Sequence, residues 1–96
     1  MFADLDLPEA DALLAKSELA AQILRIVRAR RLTQTQAGEL LGLAQPKVSA
    51  LLNGRLDGFS TDRLIRCLTN LGWDVRIKLS EAEPRRRGRV QVTTER

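Results

Sequence analysis

The stretch from Leu32 to Gly54, LTQTQAGELLGLAQPKVSALLNG, constrains the fold of this chain more than any other. Thr33 as an N-cap places Gln36 at the third helical position, which completes a reciprocal Thr-x-x-Gln capping box. The helix begun there ends at Gly42, where the missing Cβ lets the backbone turn left-handed. Gly38 lies inside that helix at a cost of about 1 kcal/mol relative to Ala. Close approach by a neighbouring helix is one reason to tolerate it; a weakened surface helix is the other reading. A second helix starts around Gln45–Pro46 and stops at Asn53-Gly54. Ala44 is a poor cap and the residue before a proline resists helical angles, so Gln45 is itself a candidate cap. Val48, Leu51 and Leu52 fall on the buried side of this second helix, while Gln45, Lys47, Ser49 and Ala50 fall away from it. Two short helices locked by a tight turn, the second with a polar outer face, suit insertion into a DNA major groove.

The flanks supply support. Met1 to Leu7 is read as an arm, and Pro8 suits a first helical turn, where its missing N–H costs nothing. Residues 9–30 contain neither Gly nor Pro, and Leu19, Ile23, Ile26 and Val27 recur at helical spacing. One or two helices are expected there, with a break near Lys16–Ser17. Downstream, Ser60 as a cap brackets Phe59 and Leu64 at the spacing of a hydrophobic staple. Leu64, Cys67, Leu68 and Leu71 form one apolar stripe ending before Gly72, so Cys67 is read as a small core residue.

After Gly72 the period changes. Trp73, Val75, Ile77 and Leu79 alternate with Asp74, Arg76, Lys78 and Ser80, the pattern of a half-buried strand. A lone strand leaves its backbone groups unpaired and needs a partner. The same strand of a second copy is one partner. A hairpin to RVQVTT, with Val90 and Val92 alternating, is the other, and the two are compatible.

Charge narrows the function. Residues 1–24 carry −4, residues 25–66 carry +5, residues 67–83 carry −1 and residues 84–96 carry +4. Positive charge therefore gathers on the central stretch and on an Arg-rich tail, a distribution suited to nucleic acid. The tail is open to three readings: a second strand, an unstructured segment, or an arm contacting DNA through counterion release. With no His and one Cys, structural zinc, disulfide chemistry and His-based catalysis are poor fits. No apolar run is long enough for a membrane span, and the acidic start is unlike a signal peptide, so a cytoplasmic location is expected.

Residues 1–80 resemble the Xre family of phage-repressor-like (Cro-like) helix-turn-helix proteins, and within it the small HigA-type antitoxins. The matching pieces are the leading F-x-D-L, K-x-E-L-A, LTQ with A-G-E-L-L-G, QPKVSALLNG, F-S-x-x-R-L and L-G-W-D-V. The resemblance implies that Gln34, at the start of the first helix of the pair, contacts phosphate. It implies that Gln45, Lys47 and Ser49 meet base edges or nearby phosphates, and that Asn53 and Arg55 touch the backbone. Lys47 stands out as the residue for sequence readout, since Lys can donate to guanine or to phosphate. The family usually has Ala in place of Gly38, a change to a smaller residue, and Ser or Thr in place of Ala44, which removes a hydroxyl cap.

The expectation is thus a mainly α fold. Five helices form the helix-turn-helix domain, followed by a C-terminal β-strand, with a hairpin as an option, used in dimerisation through Trp73, Val75, Ile77 and Leu79. Residues 1–16 would be an arm and short helix, 17–72 the DNA-binding domain, 73–83 the dimerisation strand and 84–96 the tail. The expected activity is repression from a palindromic operator in double-stranded DNA as a homodimer, without cofactor, metal or catalysis. The resemblance adds antitoxin function, with autoregulation of an operon and neutralisation of a RelE/HigB-like ribonuclease toxin. A stand-alone Xre-type regulator and a protein-binding module devoted to toxin capture are the competing readings.

Overall fold

The computed structural model describes residues 9–94 apart from 86 and 89, with side chains from residue 11 onward. The expected arm at Met1–Leu7, the turn position of Pro8, and Arg86 and Arg89 of the tail lie outside the described residues. Four α-helices follow one another: α1 (Glu9–Ala29), α2 (Gln34–Leu41), α3 (Gln45–Leu52) and α4 (Thr61–Asn70). Helix α1 packs against α4, and α2 packs against both α3 and α4.

The described residues thus hold four helices, not five, because α1 runs unbroken through Lys16–Ser17. Ala12, Ala15, Leu19, Ile23 and Ile26 recur every three or four residues straight across the expected break, and all are buried. A continuous buried stripe gives the helix no reason to stop. It ends instead at Ala29, shortly before Arg31 takes a left-handed φ of 53°. Arg30 Nη2 donates to the Leu71 carbonyl at 2.6 Å, tying the end of α1 to the end of α4.

The core joins Leu19, Ile23, Ile26 and Val27 of α1 to Ala37 and Leu41 of α2, Val48 and Leu51 of α3, and the Leu64, Cys67, Leu68 and Leu71 stripe of α4. Phe59 and Leu64 are both buried in this cluster, and Ser60 Oγ accepts from the Arg63 N–H at 3.1 Å. Burial of the Cys67 thiol raises its pKa, against the opposing pull of the Arg63 and Arg66 charges. The thiolate is therefore disfavoured, as suits a core residue.

No strand forms among the described residues, which overturns both the strand at Trp73–Leu79 and its hairpin to residues 90–94. The alternation holds only at its start: Trp73 and Val75 pack against the core, whereas Ile77 is 64% and Leu79 is 90% exposed. What is missing is a ladder. Among the described residues no backbone hydrogen bond joins 74–80 to 90–94, and the Val92 N–H donates to the Glu18 carboxylate at 2.8 Å instead. A period of two marks side chains able to share one face, but a strand also requires a second backbone. The tail consequently returns to α1, with Val92 half-buried against the core.

Candidate nucleic-acid interface

The site is built from the α2–turn–α3 unit. The Thr33 N–H donates to Gln36 Oε1 at 2.9 Å, and the Gln36 N–H donates to Thr33 Oγ1 at 3.1 Å, so both halves of the capping box form. Gly42 closes α2 in the left-handed region at φ 70°. The Leu43 N–H then donates to the Gly38 carbonyl at 3.0 Å, which tightens the turn.

Gly38 owes its place to close packing. A Cβ there would lie 2.9 Å from the Leu43 carbonyl oxygen and 3.2 Å from Val48 Cγ2. The smaller residue thus lets α2 sit directly on the turn and on α3. The replacement of the family's Ala is therefore not the minor change that size alone implies, since the surrounding backbone has closed onto the gap.

The cap of α3 is Ala44, not Gln45. Ala44 has the extended backbone of a cap (φ −68°, ψ 156°) but makes no side-chain bond, and its carbonyl accepts the Lys47 and Val48 N–H groups at 2.9 and 3.0 Å. Gln45 becomes the first helical residue despite preceding Pro46, whose missing N–H matters little this early in a helix.

The expected contact residues divide. Gln34 and Gln45 are exposed first residues of α2 and α3, and both line a cleft of about 370 Å³ between the two helices. Glu39, an exposed acid, also lines this cleft. Arg55 is exposed beyond α3, its backbone N–H donating to the Ala50 carbonyl at 2.9 Å. Asn53, exposed at the C-cap, turns its amide back to donate to the Ser49 carbonyl at 2.8 Å. Ser49 and Ala50 are only half-buried, not fully outward, and Ala50 packs against the core. Lys47 is exposed, yet its Nζ donates to the Gly58 carbonyl at 2.9 Å and sits 5.0 Å from the centre of the Phe59 ring.

Gly58 and Phe59 were not anticipated as neighbours of this face. Their only sequence signal was a turn-like Asp-Gly before the staple residue, which says nothing about Lys47. Of the expected dimerisation residues, Trp73 and Val75 are partly spent on the chain's own core, and Ile77 and Leu79 remain exposed.

A family model described as a helix-turn-helix domain matches residues 1–80. The chain belongs to the helix-turn-helix domain family. A solved structure assigned to the XRE family of transcriptional regulators is 39% identical to this helix-turn-helix protein, covering 92% of this chain and 100% of that one at a TM-score of 0.85. None of the curated proteins matches the chain. In this helix-turn-helix domain α2 and α3 are the paired helices. Helices α1 and α4 pack around them as a scaffold, α1 on α4 and α4 on α2.

Proposed function

We propose that this protein is a sequence-specific DNA-binding transcriptional regulator that presents the exposed side of α3 to the major groove. The observation that carries this reading is the pairing of Gln45 and Gln34 at one cleft, on helices anchored from behind by the fully buried Val48 and Leu51. Gln45 offers a donor and an acceptor together, the pattern that matches adenine. Gln34 opens α2, whose free N–H groups and dipole favour a phosphate. Asn53 and Arg55 flank the same face and supply backbone contacts, with Ser49 beside them.

The proposed active species is a homodimer on a palindromic operator, since one copy of such a motif reads one half-site. Ile77 and Leu79, on the stem formed by Trp73 and Val75, are large apolar side chains left in solvent by the single chain, and their burial against a second copy is the proposed dimer contact. The narrower antitoxin role, with a RelE/HigB-like ribonuclease as partner, is supported by the motif resemblance of residues 1–80. It is tested by whether such a toxin co-purifies with the protein from its own cell in nuclease-treated extract; its absence would leave a stand-alone regulator.

The experiment for DNA binding begins with duplexes enriched from a randomised library by the wild-type protein. On these, Gln45→Ala is expected to weaken binding about tenfold, near 1.4 kcal/mol, and to relax preference at one base position while the melting temperature stays put. Unaltered affinity and preference would refute the α3 assignment. In parallel, Leu79→Lys is expected to convert dimers to monomers in light scattering, and a persistent dimer would place the interface elsewhere.

A further inference from the structure

Lys47 occupies the third position of α3, on the side assigned above to DNA, but its ammonium is engaged within the chain. It donates to the Gly58 carbonyl at 2.9 Å and lies 5.0 Å from the centre of the Phe59 ring. Both partners belong to the connection between α3 and α4. The near end of that connection is held to α3 by backbone bonds, from Gly54 to the Leu51 carbonyl at 3.1 Å and from Arg55 to the Ala50 carbonyl at 2.9 Å. Its far end is held by the buried rings and chains of Leu56 and Phe59. Lys47 reaches the exposed part between them.

The receptor for that ammonium is specific. A Cβ on Gly58 would lie 2.5 Å from Lys47 Nζ, so any other residue there displaces it. The φ of Gly58 lies outside the left-handed range, so an alanine meets no backbone strain, only the ammonium. Phe59, 2% exposed, is fixed in the core and holds its ring still beneath the charge. A cation set over an aromatic face and bonded to a carbonyl is held on two sides at once.

We propose that Lys47 is a positioning residue, clamping the 54–59 connection to α3 so that Arg55 is presented to the DNA backbone, and that it does not read a base. This rests on the DNA-binding reading above. The ammonium has three donors, one of which the Gly58 carbonyl takes. Reaching a base edge would require it to leave both partners. Held in place, it secures the outer part of the connection whose near end the Gly54 and Arg55 backbone bonds tie to α3, and a phosphate contact by Arg55 adds affinity without sequence information.

The test uses Lys47→Met, which keeps the aliphatic stem and removes the charge, and Gly58→Ala, which keeps the lysine and the carbonyl but puts a methyl group 2.5 Å from the ammonium and crowds it off its seat. On duplexes enriched by the wild-type protein, each is expected to weaken binding about fivefold to tenfold, equally for every base substitution in the duplex. The double variant is expected to bind no worse than either single one, because both break the same clamp. The Phe59 amide, bonded to the Leu56 carbonyl at 3.0 Å, should exchange its hydrogen faster in both variants. A relaxed preference at one base position in Lys47→Met, with Gly58→Ala binding at least as tightly as wild type, would overturn the proposal and make Lys47 a base reader. Wild-type binding by both variants would overturn it as well. If the wild-type protein enriches no duplex at all, the DNA-binding reading itself fails and the positioning role falls with it.

Discussion

Leu51→Ala is expected to destabilise the domain by about 2–5 kcal/mol, the range for emptying a packed leucine site. Leu51 is completely buried on the inner side of α3, in the cluster that also contains Val48 and Leu64. Truncation removes the transfer free energy of three carbons and leaves a void that neighbouring helices fill only in part. A domain of this size has a total stability of order 5–15 kcal/mol, so the loss is a large fraction of it. Urea denaturation should show a lower midpoint with an unchanged slope. Leu52→Ala, at a half-buried neighbour, serves as the comparison and should cost clearly less. A loss below about 1 kcal/mol for Leu51→Ala would mean that α3 is not anchored from behind, and the rigid presentation of Gln45 would lose its basis.

The second large effect is at Gly38. Gly38→Val is expected to cost about 3 kcal/mol, and Gly38→Ala about 1 kcal/mol net. Two terms oppose each other. Replacing a mid-helix glycine by alanine gains about 1 kcal/mol of helix propensity. Against that, the new Cβ meets the Leu43 carbonyl at 2.9 Å, and this is backbone in the turn itself, so relief requires α2 and α3 to move apart. Val adds two methyl groups to the same contact and has the poorer helix propensity. Calorimetry should rank wild type above Gly38→Ala and Gly38→Ala above Gly38→Val. DNA affinity should fall in the same order, because displacing α3 from α2 separates Gln45 from Gln34. A stabilised Gly38→Ala would show that the turn relaxes freely and that propensity wins.

Much of the fold follows from interactions that span no more than four residues. The Thr33–Gln36 box, the left-handed Gly42 and the Ser60 cap all form as their spacing predicts, and Phe59 and Leu64 on either side of that cap are both buried. The apolar stripes of α1 and α4 are buried as their period demands. Where local signals were ambiguous, packing settled the matter: Ala44 caps α3 through its backbone alone, and α1 continues past Lys16–Ser17 because its inner stripe does.

The strand shows the limit of periodicity. The alternation from Trp73 to Leu79 divides inward from outward side chains only as far as Val75; Ile77 and Leu79, expected on the same buried face, are exposed. It carries no information on whether a second backbone lies alongside, and in this chain none does among the described residues. The tail was equally illegible, since the Glu18 carboxylate that receives the Val92 N–H is 74 residues away.

The amino-acid sequence alone determined where helices α2 and α4 begin, where α3 stops and which apolar stripe of α4 turns inward, because caps, turns and helical spacing act within a single turn of chain. Only the tertiary structure decided the closeness of α2 to α3 at Gly38, the placing of Gln34 and Gln45 along one cleft, and the commitment of the Lys47 ammonium to Gly58 and Phe59. Those depend on how separate segments come to rest against one another. A long, flexible side chain with three donors takes whichever acceptor that packing brings within reach.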